Sequence, residues 1–218
     1  MAIKTGSTWK EIKTVMCPAV NGVRKEAQAV RIHNGTTWVD VWSNIKIMTV
    51  LSNNITKGWG AVSEDTRTIG LFKFMDSGVG SISGGGTIVL YLDGEWVNPT
   101  ITFDYSGGFS YFAGGNWIMI AAGGVSIYHR VKGATAAGTT VAKERIGQTQ
   151  TDANGVDEEV GTYTGTLTGT YDRLGLSITL NSFSGSYSNA LMTLNVSNPV
   201  FGSQKIGFPA SLAYNYQD

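Results

Sequence analysis

Between Gly161 and Tyr171 the chain reads GTYTGTLTGTY, and every second residue is threonine. Side chains of a strand point alternately to its two faces. One face therefore carries Gly161, Tyr163, Gly165, Leu167, Gly169 and Tyr171. The other carries Thr162, Thr164, Thr166, Thr168 and Thr170. The segment is predicted as strand. Large side chains set between glycines suggest that something packs closely between the rings. The threonine row suggests a face that is solvated or meets a partner, and an ordinary sandwich strand shows the same pattern. A threonine array of the ice-binding kind needs several parallel rows, and the sequence shows one.

The rest of the chain repeats this strand-like character. RTIGLFKFMD (67–76) reads as one strand. GTIVLYLDGEWVNPTITFDY (86–105) reads as a hairpin around Asp93-Gly94 followed by a strand after Pro99, because Asp-Gly is a strong hairpin signal. NWIMIAAGGVSIYHRV (116–131) reads as two apolar strands around Gly123-Gly124. LGLSITLNSFSGSYSNALMTLNV (174–196) continues the series, and GVGSISGGG (78–86) reads as loop or Gly-relieved edge. Helical potential is confined to short segments such as TVAKERIG (140–147).

Composition agrees with packed β-structure. Charged residues are 15% of the 218 and glycines number 29, which suits neutral or covered surfaces rather than a solvated helix bundle. Lys plus Arg and Asp plus Glu are 16 each, so the positive surplus that nucleic-acid binding requires is missing. No apolar stretch approaches the roughly 18 residues of a membrane span. The lone Cys17 can form no internal disulfide. The opening MAIKTGSTWKEI has no apolar signal core, so the expectation is a protein made in a cytoplasm and not exported by that route.

The first 45 residues write one phrase twice. IKTGSTWKEI (3–12) aligns without gaps on IHNGTTWVDV (32–41) at an offset of 29 residues, matching Ile3 with Ile32, Gly6 with Gly35, Thr8 with Thr37 and Trp9 with Trp38. Asn-Gly at 34–35, and again at 21–22, is the signature of tight type I′ turns. The expected architecture is therefore all-β. A small β-hairpin module over 1–46 precedes a larger antiparallel β-sandwich, jelly-roll-like, over 47–218.

Candidate chemistry is sparse. His33 and His129 stand alone, outside any zinc-ligand spacing. TDANGVDEEVG (151–161) crowds oxygen ligands around a Gly turn; Asp152, Asn154 and Asp157, with Glu158 and Glu159, are candidates for calcium, although the EF-hand spacing is absent and a solvated acidic turn reads the same way. No Gly-x-Ser-x-Gly elbow or phosphate-binding loop occurs. Asp93, Glu95 and Asp104 are the acids that a glycoside hydrolase reading would need, and solvation explains the first two. No enzyme is expected, and no cofactor beyond that calcium candidate. Six tryptophans are many for this length. YSGGFSYFAGGNW (105–117) sets Tyr105, Phe109, Tyr111 and Trp117 among glycines, which fits a sugar-stacking loop or core packing.

The carriers of a family resemblance are IKTGSTWKEI and VRIHNGTTWVDVWS (30–43), with LYLDGEWVN (90–98) as a looser echo. They resemble the hairpin phrases of structural proteins from tailed bacteriophages and prophages of Gram-positive bacteria. The resemblance covers about the first 45 residues. It implies a non-enzymatic tail, baseplate or capsid-surface appendage, localised in the virion and assembled in the host cytoplasm, whose partners are other virion proteins and copies of itself. Within it Trp9, Trp38 and Trp42 are the expected attachment anchors. The alternative is an adhesin that binds bacterial surface polysaccharide. Neither nucleic acid nor membrane is an expected partner.

Overall fold

The computed structural model describes the backbone of residues 2–5, 8–11, 29–33, 38–43, 45–56, 59–75, 80–81, 85–113, 115–147, 150–152, 158–182 and 186–213, with side-chain surroundings for 45–56, 60–72, 85–112, 115–116, 118–147, 158–182 and 190–213. The chain divides into two compact units, Met1–Lys46 and Ile47–Asp218. Among the described residues there is no α-helix, and the only helical turn is a 3₁₀ segment at Ala210–Leu212.

The first unit holds β1 (Ala2–Thr5), β2 (Thr8–Glu11), β3 (Ala29–His33) and β4 (Trp38–Ser43). They form two separate two-stranded sheets, β1 with β2 and β3 with β4. The sequence repeat is also a repeat of register. Lys4 faces Trp9 and Ile3 faces Lys10 in the first hairpin; His33 faces Trp38 and Ile32 faces Val39 in the second. The division falls within β5 (Lys46–Ile47).

The second unit continues with β6 (Thr49–Asn53), β7 (Trp59–Val62), β8 (Thr68–Met75), β9 (Gly80–Ser81), β10 (Gly86–Val97) and β11 (Thr100–Ala113). After these come β12 (Asn116–Ile120), β13 (Gly123–Val131), β14 (Gly138–Ile146) and β15 (Gln150–Asp152). The last are β16 (Glu159–Thr166), β17 (Thr170–Leu180), β18 (Ser186–Phe201) and β19 (Gln204–Gly207). One sheet has five strands in the order β14-β13-β17-β10-β6. In the larger sheet β11 and β18 lie side by side at the centre. β12 and β16 share the far edge of β11, and β8, β9 and β19 share the far edge of β18.

Period-two alternation decides which face is buried. In the five-stranded sheet Ile88, Leu90, Val125, Ile127, Leu174, Leu176 and Ile178 point inward. In the larger sheet Ile69, Leu71, Ile101, Phe103, Phe109, Met192, Leu194 and Val196 do the same. These residues of both sheets form one hydrophobic cluster, the core of an all-β sandwich. Each large side chain fully buried there contributes about 1.5–3 kcal/mol relative to exposure.

Arg67 fastens one end of the core. Its Nη1 donates to the carbonyls of Pro199 (3.0 Å) and Ile206 (2.6 Å), bridging β18 to β19. Burial lowers its pKa, and Asp65 and Asp104 oppose that shift. The guanidinium nevertheless stays charged. Pro199 sits at a register shift of β18 against β11, which is where a strand tolerates proline.

Four expectations change. Asp93-Gly94 is not a hairpin turn: β10 runs through it. Asp93 faces Arg173 and Trp96 faces Tyr171, so β10 gains one residue over β17 and forms a bulge. The turn comes later, at Asn98, which has φ 45°. TVAKERIG is not helical but lies in β14, because β13 offers it a ladder that no isolated helix turn could match. The break between β12 and β13 falls at Ala121-Ala122, and Gly123-Gly124 open β13. There a Cβ on Gly123 would stand 1.9 Å from the Thr179 carbonyl oxygen, so the glycine is required by close strand approach. The GTYTGTLTGTY segment, finally, is two strands. It leaves β16 at Thr166 and enters β17 at Thr170.

Candidate functional site

The aromatics of the 105–117 segment stand on strands, not in a loop. They lie on β11 and β12, which pair from Phe109–Ile120 to Ala113–Asn116. Phe109 is fully buried, and Tyr105 and Tyr111 pack against the core from its margin. The Phe109 and Tyr111 rings are 5.6 Å apart, and the Lys143 ammonium lies 5.1 Å from the Tyr105 ring centre. The Phe109 ring, with no exposed surface, cannot stack on a sugar. The side chain of Trp117 lies outside the described residues.

Inward-facing rings also explain the glycines of β16. A Cβ on Gly165 would meet the Tyr163 hydroxyl and one on Gly161 the Tyr105 hydroxyl. The rings themselves cover the glycines; no further group is needed between them. Tyr163 also stacks on Phe103 at 5.1 Å. The outward threonines are not a single row. Thr164 and Thr166 meet Thr102 and Thr100 of β11 at 3.3 and 3.2 Å, and Thr162 donates to Asp104 at 2.7 Å.

Of the calcium candidates, Asp152 lies in β15 opposite Trp117. Its side chain, Asn154 and Asp157 lie outside the described residues. Glu158 accepts from the Thr193 hydroxyl, and Glu159 holds both Lys143 Nζ and the Gly147 N–H at 2.6 Å. Among the described residues no group of three or more His, Cys, Asp or Glu could hold a metal, and no helix is long and apolar enough to cross a membrane. The side chains of Trp9, Trp38 and Trp42 also lie outside the described residues; their backbones are in β2 and β4. Asp93 and Glu95 are paired with Arg173 (2.8 Å) and Lys132 (2.6 Å), and Asp104 additionally accepts from Asn198.

The outer face of the five-stranded sheet carries the chemistry that the sequence reading missed. Tyr91, Gly175 and Tyr128 stand opposite one another on β10, β17 and β13. The next row is Asp93, Arg173 and Arg130. Two tyrosines thus flank a glycine floor. The Arg173 guanidinium lies 4.0 Å from the Tyr91 ring centre, a cation–π distance. Its Nε donates to Asp93, and that bond, followed by one with the Tyr128 hydroxyl, raises its pKa. Arg130 pairs with Asp172 at 2.7 Å and lowers the carboxyl pKa. Farther along this face Gly124, Ser126, Lys143, Glu144, Thr179 and Asn181 line a cavity of about 200 Å³. That is below the ~300–1,000 Å³ of enclosed ligand pockets. The face is a shallow polar surface with aromatic and guanidinium anchors, a composition suited to gripping a partner or a sugar chain. Its residues come from three strands far apart in sequence, so only pairing brings them together.

His129 lies between Tyr128 and Arg130 on β13 and so turns to the opposite, inner face, level with Leu174. Its Nε2 lies 3.0 Å from the Thr140 hydroxyl, its ring meets Tyr171 edge-on at 5.2 Å, and Nδ1 is buried without a hydrogen-bond partner. A proton on Nδ1 would have no acceptor, and burial lowers the pKa from 6.5. The unfolded chain therefore binds this proton at higher pH than the folded one. The contribution of neutral His129 is complete above pH 6.5 and is lost as pH falls from there through the lower folded value. Melting temperature should drop more steeply between pH 7 and 5 for the native chain than for His129→Gln. Parallel slopes would remove the role.

No protein family and no curated protein matches the chain. Among solved structures, a chain in the structure of infectious bursal disease virus Gx strain is similar over 89% of this chain and 44% of that one, at 12% identity and a TM-score of 0.30. This chain thus spans less than half the length of that one. A likeness that loose carries no functional argument.

Proposed function

We propose that this chain is a non-enzymatic structural protein of a virion, a tail, baseplate or particle-surface appendage that docks through its N-terminal hairpins. The observation that carries this reading is the duplicated register, Lys4–Trp9 and His33–Trp38. Two copies of one hairpin, each in its own two-stranded sheet among the described residues, offer two equivalent edges and faces. Isolated two-stranded hairpins are marginal in water, so such elements gain stability by packing on a partner. The sandwich, with its own core, then serves as the presented body. The resemblance of the two phrases to phage structural proteins supplies the class of particle.

Deleting residues 1–46 should leave a folded sandwich that no longer enters particles. Trp38→Ala should weaken docking by about 2 kcal/mol or more, roughly 30-fold, without lowering the melting temperature. Early melting of Trp38→Ala would make that residue a core side chain. Normal incorporation of the truncated chain, followed by immunoblotting of purified particles, would remove the attachment reading.

A second reading, an adhesin for bacterial surface polysaccharide, is favoured by the Tyr91–Gly175–Tyr128 row with Arg173 over Tyr91. Copies per particle separate the two: hundreds mean a tube or surface decoration, a few mean a fibre tip.

A further inference from the structure

Strand β16 has one paired edge. β11 occupies it without a register shift, from Thr100 opposite Thr166 to Gly107 opposite Glu159. Among the described residues no strand pairs with its other edge. The hydrogen bonds reveal which groups face that edge. Leu167 donates its N–H to the Pro99 carbonyl at 3.0 Å, which makes that pair hydrogen-bonded. The Thr100 carbonyl instead accepts from Gly202 at 2.7 Å, so Thr100 and Thr166 are a non-bonded pair. The two kinds alternate along an antiparallel ladder. Val160, Thr162, Thr164 and Thr166 therefore direct their backbone N–H and C=O groups to the open edge.

Natural sheets blunt open edges with charge, proline, bulges or short strands. The five-stranded sheet does so. Edge strand β14 carries Lys143, Glu144 and Arg145 and has two register shifts against β13. Edge strand β6 is five residues long with one shift against β10. Beyond Glu159, whose carboxylate is held by Lys143 and Gly147, β16 has none of these. From Val160 to Tyr171 there is no charged residue and no proline. Val160, 76% exposed, adds an apolar side chain at its start.

The sequence here is also its own mirror: Gly161-Thr162-Tyr163-Thr164-Gly165 reads the same in both directions. We propose that two copies of this chain associate edge to edge through β16, antiparallel about a two-fold axis at Tyr163. Thr162 then faces Thr164 of the second copy, Gly161 faces Gly165, and Val160 faces Thr166. Even-numbered residues meet even-numbered ones, and these are the residues whose backbone groups are free to bond. The contact is isologous and supplies about eight N–H···O bonds. On the outer face threonine meets threonine, as Thr102 already meets Thr164 and Thr100 meets Thr166 within one chain. The larger sheet becomes continuous through the pair. This inference stands apart from the attachment role of the hairpins.

Sedimentation of the full chain over a concentration series tests it. The native chain should show a concentration-dependent doubling of mass. Thr164→Pro removes an N–H that points away from β11, so the ladder to β11 survives, and its assembly mass should be half the native value with far-UV circular dichroism unchanged. Thr164→Lys, at an exposed position, should weaken pairing, and adding Thr162→Glu should restore it by setting opposite charges across the axis. A native chain that stays monomeric at all concentrations overturns the proposal. So does an assembly mass unaltered by Thr164→Pro, or, should that variant fail to fold, by Thr164→Lys.

Discussion

Phe109→Ala should lower the melting temperature by roughly 6–20 °C. Phe109 has no exposed surface and sits mid-strand in β11 between Ile120 of β12 and Met192 of β18. Truncating a buried Phe costs about 3–5 kcal/mol, because the transfer energy of the ring is lost and the cavity closes only in part. In a chain of this size each kcal/mol shifts the midpoint by about 2–4 °C. Phe112, three residues on and 38% exposed, is the internal comparison; its truncation should cost under about 1 kcal/mol. Equal effects of the two substitutions, measured by calorimetry, would mean that β11 does not present alternate residues to the core.

Gly175→Ala should destabilise by about 3 kcal/mol or more, at the upper end for an overpacked site. A Cβ there would stand 1.8 Å from the Leu90 carbonyl oxygen and 2.7 Å from the Leu90 carbonyl carbon and the Tyr91 Cα. These are backbone atoms of the neighbouring strand, so no side chain can swing away. Relief requires β10 and β17 to part, and their ladder from Gly86–Leu180 to Asp93–Arg173 would break. Gly138→Ala is the matched comparison, since its Cβ would meet only His129 Cε1 at an ordinary 3.5 Å. Denaturant midpoints that coincide for the two variants would contradict this strand spacing. Because Gly175 also floors the row between Tyr91 and Tyr128, its strictness keeps that face flat.

Local chemistry accounts for what was readable in the sequence. Alternation has a period of two residues and depends only on the pleat, so the all-β class and strand β8 follow from the letters alone. The twin hairpins follow too, since offset and turn residues are both local, and the structure adds that their registers coincide. Pairing, in contrast, joins residues far apart, and it reversed several readings. Asp93-Gly94 carries the signal of a turn, yet β17 runs alongside and converts it into a bulge. The Tyr105, Phe109 and Tyr111 set reads as core more readily than as a ligand site, and the fold puts Phe109 inside the core with both tyrosines packed at its margin. Tyr91, Tyr128 and Arg173 have no common motif and become neighbours only because β10 and β13 flank β17. The same holds for the open edge of β16. The sequence makes it uncharged and symmetric, but only the ladder with β11 decides which backbone groups are left to bond. Side-chain alternation is set by each residue's own geometry, whereas the identity of a strand's neighbour is set by which faces can be buried together, and that is a property of the whole fold.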